Sequence, residues 1–168
     1  MRGQAGFTLF ELVIVIVVVS IAGIGFAAMF SQAVNTYQYV EAEKGILQEA
    51  RYTMERIARE LKRVRNNTSV TTASLTTFAF VDRSNQAVSI SWSGAAGADL
   101  TYTKSGVART LASGVDSLAF SYRRADGAAA RPILSPSITD IWRVAVYLRL
   151  ARGSQKVATT GAAFLRSM

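Results

Sequence analysis

The chain has no cysteine and no histidine among its 168 residues, and only two prolines. Without cysteine, neither a disulfide nor a thiolate metal site can form. A domain working outside the cytoplasm must then rely on its core and its strand pairing. Without histidine, the commonest general base and the commonest zinc ligand are both missing. Lysine is confined to Lys44, Lys62, Lys104 and Lys156, with no SxxK pattern. Serine and threonine are plentiful, but no histidine is there to activate them. The nearest carboxylate clusters, Glu41–Glu43 and Glu55–Glu60, fall on a helix face expected to be solvated. The Gly23-x-Gly25 pair lacks the strand–loop–helix setting that phosphate binding needs. The sequence therefore reads as non-enzymatic, with no cofactor implied.

Proline is absent before Pro132, and long stretches without charge take its place. Phe7 to Phe30 supplies 24 residues in which only Thr8, Glu11, Ser20, Gly23 and Gly25 interrupt the apolar pattern. As a helix this run is about 36 Å long, enough to cross a hydrocarbon core. A secretory signal has a shorter hydrophobic region of about 7–15 residues and a cleavage site after it. The length of the run and its early acid argue against that reading. Glu11 is the only charged side chain between Arg2 and Glu41. A carboxylate inside a membrane helix costs about 2.5–3.5 kcal/mol on insertion scales, so a chain that keeps one usually uses it.

Beyond Phe30 the pattern becomes one-sided. Tyr37, Val40, Leu47, Ala50, Met54, Ile57, Leu61 and Val64 recur at spacings of three, four or seven, the stripe of an amphipathic helix. Glu55 with Arg59 and Arg56 with Glu60 stand at i,i+4 on the opposite face. The helix is expected to end near Asn66–Asn67, and the overlapping sequons there read as a polar helix end. From Thr68 the period changes to two. Strands are expected at Leu75–Val81, Ala87–Trp92, Leu100–Thr103, Val107–Leu111, Val115–Tyr122 and Ile141–Leu150. Between them stand the turn-like pairs Ser84–Asn85, Gly94–Gly97, Ser105–Gly106 and Ser113–Gly114, and a longer loop opening at Asp126–Gly127. In the last strand, Trp142, Val144, Val146, Leu148 and Leu150 read as the core face. Short strands at this spacing suggest an antiparallel meander covered on one face by the helical stripe, an α+β architecture.

The net charge of +8 is unevenly spread. Residues 51–65 carry +4 and residues 123–168 carry +6, while 1–50 sum to −2 and 66–122 to zero. The C-terminal quarter concentrates Arg123, Arg124, Arg131, Arg143, Arg149, Arg152, Lys156 and Arg166. Such a segment suits anionic lipid, nucleic acid or an acidic partner protein, and charge alone does not choose among them.

Gly6–Phe7–Thr8–Leu9–Phe10–Glu11–Leu12, opening a transmembrane-length segment, resembles the processing site of type IV prepilins and pseudopilins. The resemblance implies cleavage between Gly6 and Phe7 by the prepilin peptidase, then N-methylation of Phe7. It also implies that Glu11 pairs with the N-terminal amine of a neighbouring subunit during assembly. The basic helix Ala50–Arg65 ahead of a sheet domain is similar to larger minor subunits. These are the J-type minor pseudopilins of type II secretion and the W-type or mannose-sensitive-haemagglutinin O-type minor pilins. The resemblance thus implies a leader at 1–6, a transmembrane and assembly helix at 7–30, its amphipathic continuation at 31–66, and a β-rich extracytoplasmic domain at 67–168. Its expected partners are the prepilin peptidase, other pilins or pseudopilins met through the N-terminal helix, and the bacterial inner membrane. The chain lacks the proline many members carry in the first segment and the C-terminal disulfide loop of many major pilins, and both departures point away from an abundant major subunit. Two alternatives remain: a DNA-binding minor pilin of a competence pilus, and a membrane-anchored domain that never assembles.

Overall fold

The computed structural model describes residues 8–133 and 136–165; Gly6, Phe7 and Arg166 lie outside them. The chain falls into two units, one ending at Ala42 and the other beginning at Glu43. Helix α1, Leu9–Leu61, runs through 53 residues of both. In the first unit every described residue is exposed, including Leu9 at 83 % and Phe26 at 73 %.

In the second unit the helix buries one stripe: Ile46, Ala50, Thr53, Met54, Ile57, Glu60 and Leu61. The expected stripe is right from Ala50 onward, but its start differs. Leu47, Val40 and Tyr37 are exposed and Ile46 is buried instead, because the i−4 partner of Ala50 faces the sheet. Glu60 was expected on a solvated face; it is 2 % exposed, since three residues beyond Ile57 falls on the packed side.

The helix stops at Leu61, five residues before the expected end. The N–H groups of Arg63 and Val64 bond to the carbonyls of Glu60 and Leu61, at 2.9 and 3.2 Å. This i→i−3 tightening is the usual way a last turn satisfies its carbonyls. Val64 then bridges to Asp82 in the sheet. Asn66 belongs to the following turn, where its Oδ1 accepts from the hydroxyls of Thr68 at 2.9 Å and Ser69 at 2.5 Å.

Among the described residues seven antiparallel strands follow in strict chain order, each paired with its sequence neighbour. They are β1 Val70–Ala73, β2 Thr77–Val81, β3 Ala87–Trp92, β4 Ala98–Lys104, β5 Val107–Arg123, β6 Arg143–Arg152 and β7 Gln155–Phe164. The meander and the α+β layout match the expectation; β1 and β7 are strands that were not expected, and two details are corrected. Ser113–Gly114 does not separate two strands; it lies inside the 17-residue β5, where the pairing register shifts on both sides. Gly114 has φ +64°, and a Cβ there would stand 2.7 Å from the Ala151 carbonyl oxygen, so this bulge admits only glycine without strain. At the start of β6 the core residue is Ile141, fully buried, and Trp142 is 38 % exposed. The strand begins only at Arg143, so the period-two pattern does not extend back to Trp142.

The core lies between the helix stripe and one face of the sheet. Phe78 sits at its centre, its ring 5.6 Å from Phe80 and 5.9 Å from both Phe120 and Tyr122. Side chains of this size each contribute about 1.5–3 kcal/mol on burial. With no disulfide, this packing and the strand ladder carry the stability. The buried Tyr122 hydroxyl donates to the Ser74 carbonyl at 2.6 Å, and burial raises its pKa above the ordinary tyrosine value.

Candidate functional site

The head of α1 is built by Thr8. Its carbonyl accepts the Leu12 N–H at 3.2 Å, and its Oγ1 accepts the Glu11 N–H at 3.3 Å. Thr8 is therefore the N-cap and Glu11 the third helical residue, the T-x-x-E spacing of a capping box. That spacing is visible in the sequence, and the sequence reading missed it. The first turn is also where backbone N–H groups present partial positive charge, which favours an acid.

Along the rest of the apolar half, polar groups look after themselves. The Ser20 hydroxyl donates to the Ile16 carbonyl at 2.7 Å and Thr36 to Gln32 at 2.9 Å, each one turn back. Glu11 is different. Its carboxylate is exposed, and no cation among the described residues pairs with it. The surrounding surface is continuous hydrocarbon: Leu12 through Val19 are each about half exposed. Among the described residues this is one helix long and apolar enough to cross a membrane, with a mean hydropathy of 2.8 over its best 18-residue window.

The C-terminal cations do not form the single crowd their positions suggest. Arg123, Arg124 and Arg143 gather where β5 ends and β6 begins; Arg149, Arg152 and Lys156 gather where β6 turns into β7. Arg124 pairs with Asp140 at 3.2 Å, Arg152 with Glu49 at 2.8 Å, and Arg149 and Lys156 both hold Asp116. Burial pushes the Asp116 carboxyl up, but Arg149 and Lys156 outweigh it and leave the group below its ordinary value. Arg123 donates to the Gly127 carbonyl at 2.8 Å, Arg143 lies 5.2 Å over the Phe164 ring, and Arg131 is exposed in the loop. Four of these cations are thus paired within the chain, by three carboxylates from separate elements: Asp116 on β5, Glu49 on α1 and Asp140 just before β6.

A long helix with an unburied apolar first half, ahead of an antiparallel sheet, defines a pilin-like α+β protein. Residues 1–27 match the family model described as the prokaryotic N-terminal methylation motif, so the chain carries the type IV prepilin-like signature. The matched stretch spans positions 6, 7 and 11, and such a motif implies processing by the prepilin peptidase, methylation, and assembly with other pilins and the membrane. No curated protein and no solved structure matches the chain.

Proposed function

We propose that this protein is a minor type IV pilin or pseudopilin, a non-enzymatic structural subunit of a pilus or secretion pseudopilus. The observation that carries the reading is the Glu11 carboxylate, unpaired among the described residues, in the first turn of an exposed apolar helix. A carboxylate withdrawn from water either finds a cation or neutralises. Cleavage after Gly6 creates that cation, the amine of Phe7, one helical turn from Glu11. Within one chain the two are strung along the helix axis; between chains staggered by a few residues they meet. The helix first holds the subunit in the inner membrane, with the sheet domain outside the cytoplasm. Equivalent helices of neighbours then replace lipid around it in the fibre. One apolar environment is exchanged for another, and Glu11 gains a partner that lipid cannot supply.

The test is the mass of the native polypeptide. Loss of residues 1–6 and one added methyl group on the new N-terminus are expected, and Gly6→Leu is expected to leave the leader in place. A native chain that keeps Met1 overturns the reading.

One observation favours the nucleic-acid alternative. Arg123 and Arg143 are direct cross-strand partners, and neither is paired with a carboxylate among the described residues. Like charges in that arrangement repel unless something anionic lies over them. Retention of the protein on DNA that falls steeply with salt supports this function, because phosphate contacts release counterions. No retention near 50 mM salt excludes it.

A further inference from the structure

A second cationic site lies within the Glu43–Met168 unit, where the outer flank of α1 meets the β4–β5 hairpin. A groove of about 650 Å³ runs between Tyr52, Arg56 and Arg59 on the helix and Tyr102, Arg109 and Thr110 on the strands. A second hollow of about 300 Å³, lined by Arg63 and Lys104, shares Arg56, Tyr102 and Arg109 with it. The two hollows adjoin along these shared residues, with Tyr102 between them, and are together termed the channel.

The channel's charge is unbalanced. Lys104 is neutralised by Asp82 at 3.0 Å. Glu60 serves Arg56 at 3.1 Å and lies 3.7 Å from Arg63, so one carboxylate stands against two guanidiniums. Glu49 also lines the groove, but its oxygens are committed to Arg152 and to the Ser113 N–H. Arg59 has only Glu55 at 3.8 Å, between exposed side chains, a contact worth little. The Arg109 side chain makes no hydrogen bond or ion pair among the described residues. In the middle, Tyr102 is 4 % exposed, its hydroxyl lying beside Arg56 and Glu60 without a well-formed hydrogen bond to either.

We infer that this channel seats an extended acidic segment of a partner polypeptide, whose carboxylates engage Arg59 and Arg109. Glu49 and Glu60, set among the guanidiniums, repel a continuous run of phosphates but leave room for carboxylates spaced along a peptide. The Tyr102 ring is already covered by the Arg56 guanidinium, 5.4 Å from its centroid. The volume is within the range of sites that enclose small ligands or a few side chains.

The experiment uses the full-length protein in detergent micelles, unassembled, so its outcome is independent of leader cleavage and fibre incorporation. The probe is a fluorescein-labelled decapeptide of alternating Glu and Ala; the control has Gln in place of Glu. The Glu peptide is expected to bind at least about tenfold more tightly than the control, with an affinity that falls as salt rises. The double variant Arg59→Glu, Arg109→Glu is expected to lose about tenfold or more, while Arg131→Glu, outside the channel, changes nothing. Both altered side chains are exposed, and the milder pair Arg59→Gln, Arg109→Gln keeps the test open if the charge reversal disturbs folding. Equal binding of the two peptides, or binding indifferent to both double variants, overturns the inference. So does a ten-nucleotide oligothymidine that binds more tightly than the Glu peptide and is lost in the same variants.

Discussion

Met54 on α1 and Gly161 on β7 meet so closely that a Cβ on Gly161 would stand 2.6 Å from the Met54 sulfur. The contact fixes how near the helix comes to the sheet. Gly161→Val is expected to destabilise the protein by about 1–3 kcal/mol through overpacking. Adding Met54→Ala should recover much of that loss, since methionine is the group that must move. Chemical denaturation of the two single variants and the double variant measures the coupling; strictly additive effects would mean the residues do not touch.

Asp82 is a second fixed point. It is 2 % exposed, and its Oδ1 accepts the Ser84 and Gln86 N–H groups, each at 2.9 Å, while Lys104 reaches Oδ2 at 3.0 Å. Burial pushes its carboxyl up, but these donors outweigh burial and leave its pKa below the ordinary value of 3.8. A depressed carboxyl adds stability above its unfolded pKa and loses it as pH falls through the folded one. Asp82→Asn should therefore cost about 1.5–3 kcal/mol at pH 7. The gap to wild type should close as pH is lowered below about 4. Thermal melts of both proteins between pH 7 and pH 3 check this, and a gap constant over that range contradicts it.

The β5 bulge at Gly114 combines a left-handed backbone with a carbonyl where a side chain would go. Gly114→Ala is expected to lose about 1–3 kcal/mol, more than a surface glycine replacement normally costs. An unchanged denaturation midpoint would show that β5 can run straight through this point.

Glu11→Ala should leave membrane insertion intact, or improve it, because a charge is removed from an apolar segment. Incorporation into the fibre should fall sharply. Membrane fractionation gives the first quantity and immunoblotting of sheared fibres the second. Normal incorporation of the variant would refute pairing through Glu11.

Much of this architecture is legible in the residues. Ala50, Met54, Ile57 and Leu61 announce the packed stripe, and the alternation from Val144 to Leu150 announces β6. What escapes notice has physical causes. β7 reads QKVATTGAAF, with small side chains where large ones are expected, because the helix crowds against Gly161. β1 is a four-residue edge strand containing two threonines. Glu60 occupies a core position that its chemistry argues against, and its burial makes sense only once Arg56 and Arg63 are seen around it. The candidate site divides in the same way. Glu11 stands out in the sequence because it is alone, whereas Arg109 reaches Arg56 and Tyr102 only through the fold.

Seven strands in chain order mean that no strand waits for a distant partner. The longest interval between neighbours is the 19 residues from Arg123 to Arg143. Ring-closing entropy stays small at every step, so the sheet can be laid down progressively as the polypeptide emerges. A chain without cysteine, which no disulfide can lock, gains from an order of assembly that matches its order of synthesis.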